Sequence, residues 1–450
     1  MSGAVFEKTP QNGRRHTVST INQEILALAA PAIAANISIP LVSSFDTALM
    51  GRLSVAHLSA LGIGGMIFMF IYGNFSFLRM GVTGLVAQAR GRGDIAETLL
   101  VTYRAFALAV LISVLLWIMG DPIYALAGKF MHISPGCDNY AYRYFSIRLV
   151  AAPAVMGQFV MSGYFFGTQN AIYPLYVTLL VAISNVLFSA IMVLSLDMGI
   201  DGVAWGSVTA QYCGLFLAMW IFLRRNIGAL SLDISQIVRI ERLGVFFHVN
   251  KNIFVRTFAL TFSLLFFYAR SAEAGDEILA AMVVLMQFMV WMSFAIDGFA
   301  NAAESLSGKY TGAGDVEGFR LVYIYSFVWG GVFASLFSFC YLFYGDAIVS
   351  LFTADDSVAR IARQLMPYVA LLPMLSFWAF IYDGIYIGIT AVVSMRNAVL
   401  ISMFFYISMN YLLGFVVSPA YAIWISFVSF FVSRGFLQWA MYHRYGMKLR

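Results

Sequence analysis

The stretch that decides the fold is NQEILALAAPAIAANISIPLVSSFDTALM, residues 22–50, in which the charged side chains are Glu24 and Asp46. A membrane-spanning helix needs about 20 predominantly apolar residues, and this stretch is longer than that. The whole chain has the same character, because 61% of its 450 residues are hydrophobic and 11% are charged. A typical soluble domain is roughly 45–50% apolar and about 25% charged. The composition therefore excludes a soluble enzyme, a nucleic-acid-binding protein and a disordered chain, and it predicts a polytopic membrane protein.

Polar breaks divide the chain into twelve predicted spans. Transmembrane β-strands alternate apolar and polar residues over roughly ten positions, whereas these stretches stay apolar for about twenty or more, so helices are predicted. The expected fold is an all-α polytopic membrane protein with twelve transmembrane helices in two parallel-repeat six-helix lobes around a central cleft. The spans lie near 22–50, 55–89, 96–119, 140–166, 172–195, 202–224, 246–270, 277–308, 321–344, 360–388, 397–416 and 420–442.

Lysine and arginine are unevenly distributed between alternate loops, and the side of the membrane that carries more of them is cytoplasmic. This rule predicts that both termini lie in the cytoplasm. The richer side holds Lys8, Arg14, Arg15, Arg90, Arg92, Arg224, Arg225, Arg239, Arg242, Lys251, Lys309, Arg320, Arg396, Arg444, Lys448 and Arg450, and the opposite side holds Arg52, Lys129, Arg143, Arg270, Arg360 and Arg363.

A long polar-and-apolar segment at 225–245 divides the predicted spans six to six. Its mixture of Leu, Ile and Val with arginine suits a helix on the cytoplasmic surface, and a plain linker is an equal alternative. The predicted organisation is a cytoplasmic tail at 1–21, an N-lobe at 22–224, the linker, a C-lobe at 246–442 and a C-terminal tail at 443–450.

Short motifs recur at one fixed spacing in the two halves. GRGD at 91–94 follows the second span and GAGD at 312–315 follows the eighth. Gly163 and Gly167 of the fourth span correspond at the same spacing to Gly384 and Gly388 of the tenth. Because six crossings return the chain to its starting side, both halves enter the membrane in the same orientation, which is the arrangement of one class of transporters.

Four acids fall inside the predicted spans, where an ionisable group costs at least about 2.5–3.5 kcal/mol at the bilayer centre and indicates a functional site. They are Asp46, Asp297, Glu304 and Asp383. A carboxyl group held out of water can bind and release a proton near physiological pH. Pro31 and Pro40 are expected to interrupt and bend the helix that carries Asp46. The alternative is a structural acid that is hydrogen-bonded to Ser43 or Thr47.

The other three acids are candidates for binding a cation or substrate in the C-lobe. Asp297 and Glu304 lie two turns apart on one face of the eighth helix. The alternatives are that Glu304 is solvated or paired with Lys309, and that Asp383 lies beside Gly384 where helices approach closely. Arginines in or near spans are expected to reach the interface or to pair with an acid; they are Arg79, Arg104, Arg148, Arg256 and Arg434.

Sequence motifs of enzymes and ATP-driven pumps are absent. The chain contains no HExxH, GxSxG or GxxxxGK[ST] pattern, and its histidines and its three cysteines are scattered. Secondary transport of a small molecule through the lipid bilayer is the mechanism that remains. We expect no metal and no organic cofactor, a coupling ion that is H⁺ or Na⁺, no nucleic-acid partner, and a monomer.

Several long runs resemble one family of exporters. ALAAPAIAANISIPLVSSFDTALMG (27–51) and FLRMGVTGLVAQARGRGD (77–94) are similar to the first two helices of multidrug and toxic compound extrusion (MATE) transporters. NKNIFVRTFAL (250–260), FAIDGFANAAESLSGK (294–309) and YDGIYIGITAVVSMRNA (382–398) resemble the DinF subfamily. The resemblance implies a twelve-helix exporter that exchanges drugs or metabolites, often cationic and aromatic, for protons or sodium ions.

The resemblance also implies roles for individual residues. Asp46 matches the proton-carrying acid of the N-lobe, and Pro31 matches the proline at which the first helix bends. Asn185 and Ser207 match polar residues of the same cavity. Ser189 departs from the family motif, which has a second aspartate there, and this favours proton over sodium coupling. The alternatives are a sodium-coupled exporter, a lipid-linked oligosaccharide flippase of the same superfamily, and a membrane scaffold or sensor without transport activity.

Overall fold

The computed structural model describes residues 17–51, 53–131, 135–227 and 240–446, and throughout these ranges the regular structure is helical. The predicted linker at 225–245 falls largely outside them, so its structure stays a prediction. The α-helices are α1 Val18–Gly51, α2 Val55–Phe75, α3 Phe77–Gly91, α4 Ile95–Ile118, α5 Gly120–Met131, α6 Pro135–Leu149, α7 Ala152–Gly167, α8 Ile172–Ala190, α9 Gly199–Asn226, α10 Ile240–Glu273, α11 Asp276–Ala313, α12 Val316–Phe352, α13 Asp356–Gly388, α14 Val392–Leu413 and α15 Pro419–Gly446.

The number of spans agrees with the sequence analysis. Eleven segments among the described residues are long and apolar enough to cross a membrane, and α6 with α7 forms a twelfth that is bent by 49°. The second span consists of α2 and α3, which meet at Ser76. A π-helical turn, Ile191–Ser195, extends α8. The protein is therefore an integral membrane protein of the predicted all-α class.

Helix α1 corrects one expectation, because it continues through both prolines from Val18 to Gly51. Proline removes a backbone donor, and membrane helices tolerate the loss where nearby serine hydroxyls and local adjustments satisfy the backbone. The donors that Pro31 and Pro40 remove would serve the carbonyls of Ala27 and Asn36, four residues earlier. The serine hydroxyls of this helix donate elsewhere, from Ser38 to the Ala34 carbonyl at 3.0 Å and from Ser44 to the Pro40 carbonyl at 2.9 Å. The prolines thus do not interrupt the helix, and a bend at Pro31 stays a prediction.

The chain divides into two compact units, which we call the N-unit and the C-unit. The N-unit is Ala34–Asn250, and the C-unit runs from Lys251 onward and also includes the chain up to Ile33. The division therefore falls inside α1, just after Pro31, whereas the predicted N-lobe includes that whole helix. The beginning of α1 belongs to the C-unit because it packs on α11, where the Glu24 carboxylate and the Lys309 ammonium are 2.9 Å apart.

The internal repeat is visible in local structure within each unit. A Cβ atom on Gly163 would lie 2.6 Å from the Arg79 carbonyl oxygen, so only glycine lets α7 approach α3 this closely. Gly384 makes the corresponding close approach to the Ala300 carbonyl, between α13 and α11. Asp94 and Asp315, which end the two predicted motifs, each cap the following helix through a carboxylate that accepts a backbone N–H. The motifs therefore mark equivalent helix boundaries.

Candidate functional site

Asp46 lies in the N-unit part of α1 and is 7% exposed. The side chains of Ser189 and Asn185 are neighbours of its carboxyl group, and the Arg148 guanidinium interacts with it electrostatically. The Thr47 hydroxyl donates to the Ser43 carbonyl at 2.8 Å, so it does not serve the acid beside it. Among the described residues, Asp46 Oδ1 has no hydrogen-bond partner. The carboxylate is thus buried with one oxygen atom left available.

The three polar residues that the family resemblance implies lie on two neighbouring helices. Asn185 and Ser189 are one turn apart on α8, and Ser207 on α9 accepts a 2.8 Å hydrogen bond from Asn185 Nδ2. A Cβ atom on Gly206 would lie 2.5 Å from Ser189 Oγ, so glycine at that position lets α9 pack against α8. All three side chains are buried. The structure therefore brings Asn185, Ser189 and Ser207 together with Asp46.

Arg148 completes this group, and the sequence analysis does not connect it with Asp46. It lies at the end of α6, with its guanidinium carbon 5.5 Å from the Phe68 ring centre and 5.9 Å from the Tyr144 ring centre. Stacking on aromatic faces fixes an arginine and leaves its N–H groups free to bind a ligand. We call Asp46, Arg148, Asn185, Ser189 and Ser207 the N-unit cluster.

The C-unit holds Asp383 in a different environment. Its carboxylate accepts hydrogen bonds from Arg256 of α10 and, at 2.5 Å, from Gln438 Nε2 of α15. Arg434 Nη2 is 3.8 Å from the same carboxylate. This ion pair agrees with the expectation that arginines within spans pair with acids, as does the 3.0 Å contact between Arg104 and Glu97. Asp383 is thus charge-compensated by two arginines.

The two other predicted acids of the C-unit are both on α11. Asp297 is half-buried and is an electrostatic neighbour of Arg434, so it joins the group around Asp383. Glu304 is 2% exposed, and its backbone carbonyl packs against Gly388 of α13. We call Arg256, Asp297, Asp383, Arg434 and Gln438 the C-unit cluster.

A separate cavity of about 400 Å³ opens in the N-unit between the start of α2, the helix α6 and the start of α9. His57 and Tyr140 line it with ring centres 4.3 Å apart, beside the Arg143–Asp201 ion pair. Within the described ranges, no group of three or more His, Cys, Asp or Glu side chains is arranged to hold a metal ion.

These features define a class of protein: an all-helical integral membrane protein built from a repeated multi-helix unit, with a buried polar cluster in each. The MatE family model matches the chain twice, over residues 31–191 and 253–412, so one match falls in each of the two repeated halves of the chain. The chain belongs to this family, the MATE transporters.

Individual relatives agree with that assignment. The chain is 30% identical to DNA damage-inducible protein F of Escherichia coli, over 93% of this chain and 91% of the relative. It is 25% identical to the chloroplastic protein DETOXIFICATION 44 of Arabidopsis thaliana, over 83% of this chain and 73% of the relative.

Solved structures share the fold at low sequence identity. One is a MATE protein in a bent conformation, with a TM-score of 0.86, 18% identity, and coverage of 95% of this chain and 96% of that one. Another is an outward-facing multidrug resistance transporter of the MATE family, with a TM-score of 0.84, 18% identity and the same coverage.

Proposed function

We propose that the protein is a proton-coupled antiporter of the bacterial inner membrane that exports small drugs or toxic metabolites by alternating access. The observation that carries this proposal is the buried carboxylate of Asp46, which has one oxygen without a hydrogen bond among the described residues. Such an oxygen can take up a proton without losing a bond inside the protein. Membership of a transporter family supplies the second support.

Competition between proton and substrate would couple the two fluxes. A ligand shifts a conformational equilibrium only if it binds the two states with different free energies. In the outward-facing state Asp46 takes up an external proton and releases substrate, and in the inward-facing state it loses the proton and the cluster binds substrate again. The boundary between the two units falls just after Pro31. This position supports Pro31 as the hinge of the change between the outward-facing and inward-facing states.

A proton suits the N-unit cluster better than a sodium ion. Sodium needs several oxygen ligands and usually a charge, whereas a proton needs one acid. Ser189 stands where the family motif has a second aspartate, so the cluster has a smaller negative charge than the motif would give. Three oxygens without hydrogen bonds in the described residues, on Asp46, Asn185 and Ser189, nevertheless support sodium coupling as the second candidate.

The charge compensation of Asp383 supports placing the coupling step at Asp46. Arg256 already compensates the charge of this carboxylate, and Gln438 donates a further hydrogen bond to it, so it attracts a cation less strongly than an uncompensated acid does. Asp297 and Glu304 remain candidates for contacting a cation or substrate in the C-unit.

Transport by purified protein in liposomes tests the proposal. A pH gradient and a sodium gradient are imposed separately, and movement of a fluorescent aromatic substrate is followed for the wild type, Asp46→Asn and the control Asp121→Asn. Asp121 is an exposed acid of the same unit. We expect flux driven by the pH gradient in the wild type and in the control, and its loss in Asp46→Asn.

Other outcomes point to the alternatives. Flux driven only by sodium would replace proton coupling and would direct attention to the three oxygens of the N-unit cluster. Absence of flux under both gradients, together with co-purification of a polyprenyl-linked lipid, would favour a flippase. Absence of flux with a stably bound partner protein would favour a scaffold, and the mass of the purified particle would test the expected monomer.

A further inference from the structure

The cavity of about 400 Å³ in the N-unit lies at the end that the distribution of lysine and arginine predicts to be outside the cell, and we call it the outer cavity. His57 is one of its lining residues. His57 Nδ1 and Ser54 Oγ are 2.7 Å apart, so this nitrogen atom is engaged by the serine. His57 Nε2 faces the first residue of α9, since a Cβ atom on Gly199 would lie 3.5 Å from it. Histidine exchanges protons between about pH 5 and 8, and Nε2 is the atom placed to do so here.

The charged groups around His57 favour a proton. The described charged residues that line the outer cavity are Arg143 of α6, Asp201 of α9 and Asp197 of the connection between α8 and α9. Arg143 pairs with Asp201, whose Oδ1 atom is buried without a hydrogen bond among the described residues. This lining therefore has one more carboxylate than guanidinium, and it can compensate a positive charge on His57. A cleft lined by excess negative charge also raises the local concentration of cations.

The internal repeat shows that the fold does not require these side chains. Gly93 and Gly314 have positive φ angles, as do Gln169 and Thr390, and the two pairs have the same spacing in the chain. Equivalent positions of the two units can therefore be identified by this spacing. The positions equivalent to His57, Tyr140, Arg143, Asp197 and Asp201 are Ile278, Ile361, Gln364, Ser418 and Ala422, in that order. The protonatable lining thus occurs in the unit that holds Asp46, and the equivalent positions of the other unit lack it.

Two helices run from the outer cavity to the N-unit cluster. Tyr140 precedes Arg148 on α6, and Asp201 precedes Ser207 on α9, in each case by about two helical turns or about 9–12 Å along the axis. Tyr144 lies between the first two residues on α6 and is 4% exposed. The outer cavity is therefore near the cluster but separated from it by a buried tyrosine.

We propose that the outer cavity takes up external protons for Asp46, with His57 as their first acceptor. The inference rests on the proposed proton-coupled antiport and adds to it the place where the proton enters. An external proton binds Nε2 of His57, and in the outward-facing state it passes Tyr144 to the carboxylate of Asp46. His57 is then neutral again, ready for the next cycle. In this role His57 determines the rate of proton loading and leaves the affinity for substrate unchanged.

Chemical rescue in liposomes tests this role. The initial rate of flux driven by a pH gradient is measured for the wild type, His57→Ala and the control His443→Ala, which alters an exposed histidine of the C-unit. We expect His57→Ala to lower the rate about tenfold and the control to keep it. Imidazole should restore most of the lost rate, because it fits the space that the side chain leaves and exchanges protons over the same pH range. Each rate is divided by that of the wild type at the same imidazole concentration, which removes any effect of imidazole on the gradient itself.

Substrate binding separates a slower proton uptake from a damaged fold. Fluorescence anisotropy of the aromatic substrate, without any gradient, should give the same affinity for His57→Ala as for the wild type. His57→Gln is the second variant, since its amide can still bond to Ser54 but cannot exchange a proton near neutral pH, and it should be as slow as His57→Ala.

The inference is overturned if both His57 variants keep the wild-type rate, or if imidazole does not restore the rate of His57→Ala. With flux that is lost in Asp46→Asn and unchanged in His57→Ala, the proposed antiport would stand and the outer cavity would have no part in it. Absence of pH-driven flux in the wild type would instead reject the antiport, and this inference with it.

Discussion

Asp46 of the N-unit and Asp383 of the C-unit are both 7% exposed, yet their surroundings differ. Asp383 is held by Arg256 and Gln438, with Arg434 nearby. Asp46 keeps one oxygen without a hydrogen bond within the described residues. Two acids that are buried to the same degree can therefore have different roles. The paired carboxylate of Asp383 stabilises the packing of its helices, whereas the incompletely paired carboxylate of Asp46 can bind a proton.

Asp383→Asn should have the largest effect on stability. Removing one member of a buried ion pair leaves the other charge without compensation and typically costs about 3–5 kcal/mol. The free energy of unfolding in detergent should fall by about that amount, while Asp346→Asn, at an exposed position of the same unit, should change it little. An unaltered stability would mean that the ion pair is not formed in solution.

The glycines at the equivalent helix contacts give the next largest effect. Gly384→Ala and Gly163→Ala each place a methyl group against a carbonyl of the neighbouring helix, and overpacking of this kind costs about 1–3 kcal/mol. Gly62→Ala is the control, since no atom lies within 4 Å of a Cβ there. Thermal unfolding should separate the first two variants from the third, and equal melting temperatures for all three would contradict the close packing.

Asp46→Asn should not lower the free energy of unfolding as Asp383→Asn does. A neutral amide avoids the cost of a buried carboxylate with an unsatisfied oxygen, so stability should stay the same or rise by about 1 kcal/mol. The same thermal unfolding assay measures this, and Asp46→Leu shows whether removing the polar group altogether has a further effect. A loss of stability as large as that of Asp383→Asn would show that Asp46 is a structural acid.

Glu24→Gln should have the smallest effect. Both side chains of the Glu24–Lys309 pair are about one-third exposed, at 30% and 31%, and partly solvated pairs contribute less than about 1 kcal/mol. The loss should shrink further in high salt, because ions screen exposed charges more than buried ones. A large loss of stability that salt does not change would show that this pair behaves as a buried ion pair, like that of Asp383 in the C-unit cluster.

Much of the fold follows from the sequence, because every span must be an apolar helix that is long enough to cross the lipid bilayer. Length, apolar character and the recurring glycines are enough to predict the helices and their repeat. The continuity of α1 through Pro31 and Pro40 is not predictable in this way, since a membrane helix can either continue past a proline or break at it, depending on how the surrounding helices pack.

The sites are only partly predictable for a related reason. The sequence identifies Asp46 and Asp383 as costly to bury, and the family motif associates Asn185, Ser189 and Ser207 with Asp46. It does not identify the partners Arg148 and Arg256, because these come from helices distant in the chain. The sequence shows that an acid lies within an apolar span, but which side chain compensates its charge depends on how the helices pack.

The division of α1 has a consequence for how the protein is made. The N-unit is one continuous segment, Ala34–Asn250, so all of its internal contacts are available once residue 250 has left the ribosome. The C-unit is not continuous, because it includes the chain up to Ile33 as well as the residues from Lys251 onward. Domains generally fold in the order of their synthesis. The beginning of α1 therefore cannot pack against α11 until α11 has been synthesised. The C-unit can therefore complete its packing only after the N-unit has been synthesised, so the beginning of α1 is made before residues 34–250 and finds its packing partner after them.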